Sequence, residues 1–220
     1  MKVVTFGEIM LRLEPPGYFR FVQGENLTAT FGGAEANVAL SLANFGLDSV
    51  YVTKLPEHEI GQAAVNSLRR FGVNTQFIVR GGPRVGIYYN ERGASQRPSK
   101  CIYDRAGSSI QLSSPSDFDW KTIMNGASWF HITGITPALG KNLQTACLEA
   151  MEESHKNGAT VSLDLNYRSK LWSKEEACKS LTELCKHVDV LVANEDDAAD
   201  VFGIRAEGSD SSKGQLSLEG

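Results

Sequence analysis

Hydrophobic and polar positions along this 220-residue chain follow two periods in turn. Lys2–Phe6 reads KVVTF, an apolar β-rich run that predicts a strand ended by Gly7. From Ala34 to Phe45 the spacing turns helical, with Val38, Leu42 and Phe45 on one face and Gly46 in the terminating position. Val50–Leu55 predicts a second strand, and Ile60–Phe71 a second helix closed by Gly72. The same alternation returns later. A strand is expected at Trp129–Thr133, a helix at Lys141–Lys156, and a strand over Val161, Leu163 and Leu165. A helix at Lys174–Cys185, a strand at Val188–Ala193 and a helix at Glu195–Phe202 capped by Gly203 complete it. Alternating strands and helices predict an α/β fold with a central, mainly parallel sheet and helices on both faces.

Two regions break the rhythm. Leu11–Leu13, Leu27–Phe31, Gly86–Tyr89 and Cys101–Tyr103 are short β-rich runs separated by polar turns. They predict a small β-sheet lid, with strands within 11–31 and 84–112, covering a ligand at the sheet edge. Residues 204–220 are polar and Ser/Gly-rich and read as a loop-like tail. A compact domain is not expected to stop there, so residues 1–220 read as an incomplete α/β domain.

Composition narrows the classes of function. The hydrophobic content of 41% is that of a globular chain. A net charge of −4, with no Lys/Arg run, argues against nucleic acid. No apolar stretch reaches the roughly 18 residues of a membrane span, and the first residues enter a strand too short for a secretory signal. Cys101, Cys147, Cys178 and Cys185 form no CxxC pair; the reading is reduced, structural thiols and a cytoplasmic location. His58, His131, His155 and His187 form no metal or triad pattern, and His131 is expected to be a satisfied core residue.

Candidate chemistry gathers at two places. Asp164, Asn166 and Arg168 stand where the strand at Val161 ends, the side of an open α/β sheet at which ligands bind. An Arg there suits a carboxylate or phosphate. Gly32-Gly33 precede a helix, so the backbone can approach a ligand and the helix N–H groups stay free. A plain tight turn with a solvated Asn37 accounts for them equally well. The residues after the first strand, Gly7-Glu8-Ile9, lack the GxGxxG of a nucleotide-dependent dehydrogenase.

Four segments carry a family resemblance: FGEIMLRLEPPG from Phe6, GGAEANVALSLANFG from Gly32, HITGITPAL from His131 and DLNYRSKLW from Asp164. In order, and over Val4 to Phe202, they resemble the ribokinase-like (PfkB) carbohydrate kinases, particularly the 2-keto-3-deoxygluconate kinases. The resemblance implies a ribokinase-like fold and transfer of the ATP γ-phosphoryl group to the sugar acid, giving its 6-phosphate. The implied cofactors are ATP and Mg²⁺. It implies that Gly33 contacts the substrate through its backbone and that Tyr88 and Tyr103 reach its hydroxyls and carboxylate. Arg105 would sit beside them and Ile135 would line the pocket. Arg168 would pair with the carboxylate or the transferred phosphate, with Asn166 and Asn194 toward the nucleotide phosphates. Asn194-Glu195-Asp196-Asp197 resembles the family's Asn-x-x-Glu motif with Asp197 in the last place, acting on Mg²⁺ through water.

Each position also has a plainer reading. Aromatic residues on strands pack, Arg105 fits a solvated turn, and an acidic first turn suits a helix dipole. The chain also departs from the family. It contains no Gly-Asp dipeptide, so the catalytic aspartate of the Gly-Ala-Gly-Asp motif is absent, as are the adenine-binding segments. The chain is expected to provide the sugar-acid pocket and part of the phosphate site, and to be inactive alone. The alternatives are another sugar kinase such as a fructokinase, which needs no guanidinium pair, or a non-catalytic sugar-acid-binding fragment. Pairing of lid strands between subunits is expected to give a homo-oligomer.

Overall fold

In the computed structural model, which describes residues 1–205, the chain divides into one unit over Met1–Phe118 and a second beginning at Asp119. The tail expected over 204–220 therefore lies almost wholly outside the described residues; Ile204 and Arg205 are irregular. The first unit contains β1 (Lys2–Phe6), β2 (Met10–Glu14), β3 (Thr28–Gly32), α1 (Ala34–Asn44), β4 (Asp48–Val52), β5 (Lys54–Leu55) and α2 (Glu59–Arg69). It continues with β6 (Val79–Arg80), β7 (Ile87–Glu91) and β8 (Lys100–Asp104). The second contains α3 (Trp120–Met124), β9 (Trp129–Thr133), α4 (Ile135–Ala138), α5 (Lys141–Lys156), β10 (Thr160–Asp164), α6 (Lys174–Cys185), β11 (Val190–Val192) and α7 (Glu195–Phe202). The class is α/β, with parallel strand pairing in both units and a separate small sheet.

In the first unit β1 and β4 pair in parallel, Val4 opposite Val50 and Phe6 opposite Val52. Helix α1 ends as its glycine demands: Gly46 takes φ +80°, its N–H bonds Ala43, and Leu47 N–H bonds Leu42. The expected single strand Val50–Leu55 breaks at Thr53. The chain changes partner there, since Lys54 and Leu55 pair with Val79 and Arg80 rather than with β1. Leu55 stays buried, as Val52 is, on either side of the change of partner, so hydrophobic periodicity does not register the break. Ala36, Ala39, Tyr51, Leu55 and Leu68 belong to the core. Tyr51 is fully buried, and its hydroxyl donates to the Gly7 carbonyl at 2.8 Å.

In the second unit β10 pairs in parallel with β9 and with β11. Phe130, Ile132, Leu143, Val161, Leu163 and Leu181 are wholly buried. Helix α6 begins with a capping box in which Ser173 and Glu176 satisfy each other's backbone N–H groups. Gly134 follows β9, and a Cβ there would fall 2.2 Å from the Leu165 carbonyl oxygen, so only glycine fits. His131 is satisfied as expected, its Nδ1 lying 2.9 Å from the Ser162 hydroxyl, and burial lowers its pKa. None of the four cysteines is joined in a disulfide. The last strand differs from expectation: Val190, Leu191 and Val192 are 39%, 47% and 51% exposed, although the run is as apolar as a buried strand.

Tyr51→Phe keeps the ring but leaves the buried Gly7 carbonyl without its donor. We expect a loss of about 1–3 kcal/mol, measured by urea unfolding at fixed pH.

Candidate functional site

The small sheet has the order β3-β2-β7-β8, and its register decides what its two faces carry. One row across it is Thr30, Arg12, Tyr88 and Tyr103; the next row is Ala29, Leu13, Tyr89 and Ile102. Successive side chains point to opposite faces, so one face is polar and aromatic and the other apolar. On the apolar side Leu11 and Phe31 pack against the core of the first unit. The polar side is the candidate site.

There the Tyr88 and Tyr103 rings stack, with centroids 6.1 Å apart and planes at 29°. The Arg105 guanidinium carbon lies 4.8 Å over the Tyr103 ring. Its Nη2 donates to the Met10 sulfur at 3.2 Å, and its Nε faces Glu8 Oε2 at 3.5 Å. Arg105 Nη1 is buried without a hydrogen-bond partner among the described residues. Glu8 is only 4% exposed, and the Ser108 hydroxyl donates to its Oε1 at 2.9 Å. Burial pushes the Glu8 carboxyl pKa up, against the downward pull of Arg105, Ser108 and Arg84.

The double glycine fits this arrangement. A Cβ at Gly33 would stand 2.0 Å from the Glu8 carbonyl oxygen, and one at Gly32 would stand 3.1 Å from the Tyr88 hydroxyl. Asn37 Oδ1 lies 3.9 Å from that same Gly32 point. Gly33 caps α1 in an extended conformation. Arg12 stands beside Tyr88 in the row and shares the Glu14 carboxylate with Arg92. Glu8, Arg12 and Ser108 were not among the sequence candidates. The available signal was Glu8 itself, an acid set between a strand-ending glycine and the apolar Ile9-Met10.

In the second unit the chain leaves β10 through a strained turn. Asn166 has φ +39°, and its N–H donates to Asp164 Oδ1 at 3.1 Å. The next N–H, of Tyr167, donates to Asp197 Oδ1 at 3.1 Å. Asn194 caps α7 by accepting the Asp197 N–H at 2.7 Å. Asn166, Arg168, Asn194 and Asp197 are thus drawn around two connected loop ends. Arg168 is exposed, and its Nη1 donates to the neighbouring Tyr167 carbonyl at 3.1 Å. Ile135 opens α4, its N–H 3.3 Å from Thr133 Oγ1. Arg105 belongs to the first unit and Arg168 to the second.

Among the described residues no group of three or more His, Cys, Asp and Glu side chains is arranged to hold a metal. Asp197 already accepts a backbone N–H through Oδ1. These donors do not fit a magnesium ion held by protein carboxylates alone, since such an ion demands near-octahedral oxygen ligands.

The sequence matches the profile described as pfkB family carbohydrate kinase over residues 1–216. A solved structure from Thermotoga maritima, described as 2-dehydro-3-deoxygluconokinase, is 54% identical with a TM-score of 0.93, covering 97% of this chain and 66% of that one. A PfkB family carbohydrate kinase from Listeria grayi is 36% identical with a TM-score of 0.92, over 97% of this chain and 67% of that one. A curated relative from Haloferax volcanii, 2-dehydro-3-deoxygalactonokinase, is 38% identical over 196 residues, 89% of this chain. The chain spans 61% of that relative's length.

Burial raises the Asp164 pKa, as does the Asp197 charge, while the Asn166 N–H and Arg168 lower it. A carboxyl raised on folding contributes stability at low pH that is lost as pH rises through its folded pKa. Asp164→Asn should therefore raise the unfolding midpoint at pH 7, and the gain should vanish below about pH 3. Thermal melts across that range read it directly.

Proposed function

Because the chain belongs to the pfkB family of carbohydrate kinases, we propose that it serves ATP-dependent phosphorylation of 2-keto-3-deoxygluconate to its 6-phosphate and contributes the sugar-acid pocket. The observation that carries this reading is Arg105. A guanidinium with a buried, unpartnered Nη1, stacked on Tyr103 beside Tyr88, suits a carboxylate. A neutral sugar offers that nitrogen only a hydroxyl oxygen, which accepts a weaker hydrogen bond from a guanidinium than a carboxylate does.

In this reading Tyr88 and Tyr103 present their hydroxyls to the sugar acid, the Gly33 backbone borders it, and Ile135 lines its apolar side. Arg168, exposed and donating to the neighbouring Tyr167 carbonyl, meets the substrate carboxylate or the phosphoryl group. Asn166 and Asn194 lie toward the ATP phosphates. Asp197 reaches a nucleotide-borne Mg²⁺ only through water. Phosphoryl transfer depends mainly on positioning and on neutralising charge, and the small sheet excludes water that would otherwise hydrolyse ATP. The general base that the resemblance implies follows a glycine, and no Gly-Asp pair occurs in the sequence. We therefore assign this chain binding of the sugar acid without transfer. No helix among the described residues is long and apolar enough to cross a membrane, and four cysteines outside any disulfide suit the reducing cytoplasm.

We also assign the exposed end of the small sheet's apolar face, beyond the core-packed Leu11 and Phe31, to pairing with a second copy. Phe21, Leu27, Tyr89 and Ile102 line a groove there. The strap that carries Phe21 is pinned: Glu91 accepts the Phe21 N–H at 3.0 Å and pairs with Arg97, which also donates to the Tyr18 carbonyl. Tyr18, Phe19 and Val22 are held outward, 66%, 56% and 91% exposed. Such a patch is uncommon on a monomer.

Calorimetry tests the substrate. The chain should bind 2-keto-3-deoxygluconate at least tenfold more tightly than fructose, and Arg105→Ala should remove about 2–4 kcal/mol. A coupled assay should detect no ADP release. Equal affinity for fructose would replace this reading with the fructokinase one. Sedimentation tests the assembly: the wild type should run as a dimer or larger, and Ile102→Asp as a monomer. A monomeric wild type would reject the pairing.

A further inference from the structure

We propose that Glu8 is a positioning residue, whose buried carboxylate holds the Arg105 guanidinium so that its Nη1 edge faces the acid group of the substrate. The inference rests on the sugar-acid reading above. Arg105 approaches from the end of β8, and three contacts define its orientation. The Tyr103 ring lies under its plane, Met10 sulfur takes Nη2, and Glu8 Oε2 faces Nε at 3.5 Å. Nε and Nη1 are both buried without a hydrogen bond among the described residues; Nε faces Glu8, which leaves Nη1 for a ligand. A long cationic side chain stays in one rotamer only if something other than the ligand restrains it, and Glu8 is the charged restraint.

Glu8 is itself restrained, which separates a built device from a chance ion pair. Ser108, 1% exposed, donates to Oε1 at 2.9 Å. Gly86 leaves the room: a Cβ there would stand 2.8 Å from Glu8 Oε1 and 3.4 Å from Arg105 Cβ. On the main-chain side the Glu8 carbonyl oxygen occupies the space that any side chain at Gly33 would need. The carboxylate is therefore held by the Ser108 hydroxyl in room that Gly86 leaves, and its main chain packs closely on Gly33. Without it, Arg105 keeps its charge and its stacking ring but loses the contact that sets its rotation about Nε. The carboxylate also faces Arg105 with an oxygen that has no hydrogen-bond partner, so the pair can tighten when substrate draws the guanidinium into place.

Glu8→Gln tests the assignment, because it keeps the shape and the Ser108 hydrogen bond and removes the charge. Titrating 2-keto-3-deoxygluconate into the 220-residue chain should show Glu8→Gln weakening the dissociation constant about tenfold, and Arg105→Ala at least as much. The double variant should bind no more weakly than Arg105→Ala alone. A general packing defect predicts additive losses instead, and additivity would overturn the proposal, as would an unchanged constant in Glu8→Gln. A second readout needs no ligand. The Arg105 Nε–H resonance, identified by its loss in Arg105→Ala, should exchange slowly with solvent in the wild type and at least tenfold faster in Glu8→Gln. Equal exchange would also overturn it. Should Glu8→Gln fail to fold, Ser108→Ala loosens the same carboxylate and should move both readouts the same way, less far. Absence of any binding heat in the wild type would reject the sugar-acid reading, while the exchange measurement would still decide whether Glu8 holds Arg105.

Discussion

A carboxylate taken out of water must be compensated locally, and in the first unit that requirement falls on the few residues around Glu8. Its backbone carbonyl excludes a side chain at Gly33, and its carboxyl excludes one at Gly86. Ser108 supplies a hydroxyl, and Arg105 supplies the opposing charge. Desolvation outweighs these partners, since the carboxyl pKa is still raised. A buried ion pair of this kind is weak evidence for stability. It is better understood as a means of orienting one cation on a sheet face whose other members are aromatic and neutral. The small sheet thus acts as a rigid palette. Its register sets Arg12, Tyr88 and Tyr103 in line, and Glu8 decides how Arg105 completes that line.

The second unit solves a related problem with backbone groups. The turn after β10 forces Asn166 into the left-handed region, where a non-glycine residue is strained. Asp164 and Asp197 offset this by accepting the N–H groups of Asn166 and Tyr167. Asn194 in turn caps the helix that carries Asp197. Residues expected to meet phosphate therefore also hold one another. Arg168 stands at the rim of this arrangement, exposed and lightly held, as a group that must swing toward a ligand would be.

Most of the regular structure was legible in the sequence because it is written in local signals. Gly46 and Gly72 end helices through positive φ, as their positions foretold. The four short strands of the small sheet were legible from their β-rich composition. The break at Thr53 was not, because a change of pairing partner leaves hydrophobicity unaltered. Tyr88 and Tyr103 were brought to one substrate only by the family resemblance, since their stacking depends on the register between β7 and β8, which composition does not fix. Glu8 escaped notice for a related reason. A single acid after a strand reads as solvated until the chain folds residues from position 84 to position 108 around it. Asn194 and Asp197 were read as ligand groups or as an acidic first turn; their mutual cap and the bond to Tyr167 depend on the long-range approach of two loops.

Strand β11 has a practical consequence. Its three residues pair with β10 along one edge, and their aliphatic side chains stand largely in water. Among the described residues no strand pairs with its other edge, and an unpaired strand edge is a template for another extended segment.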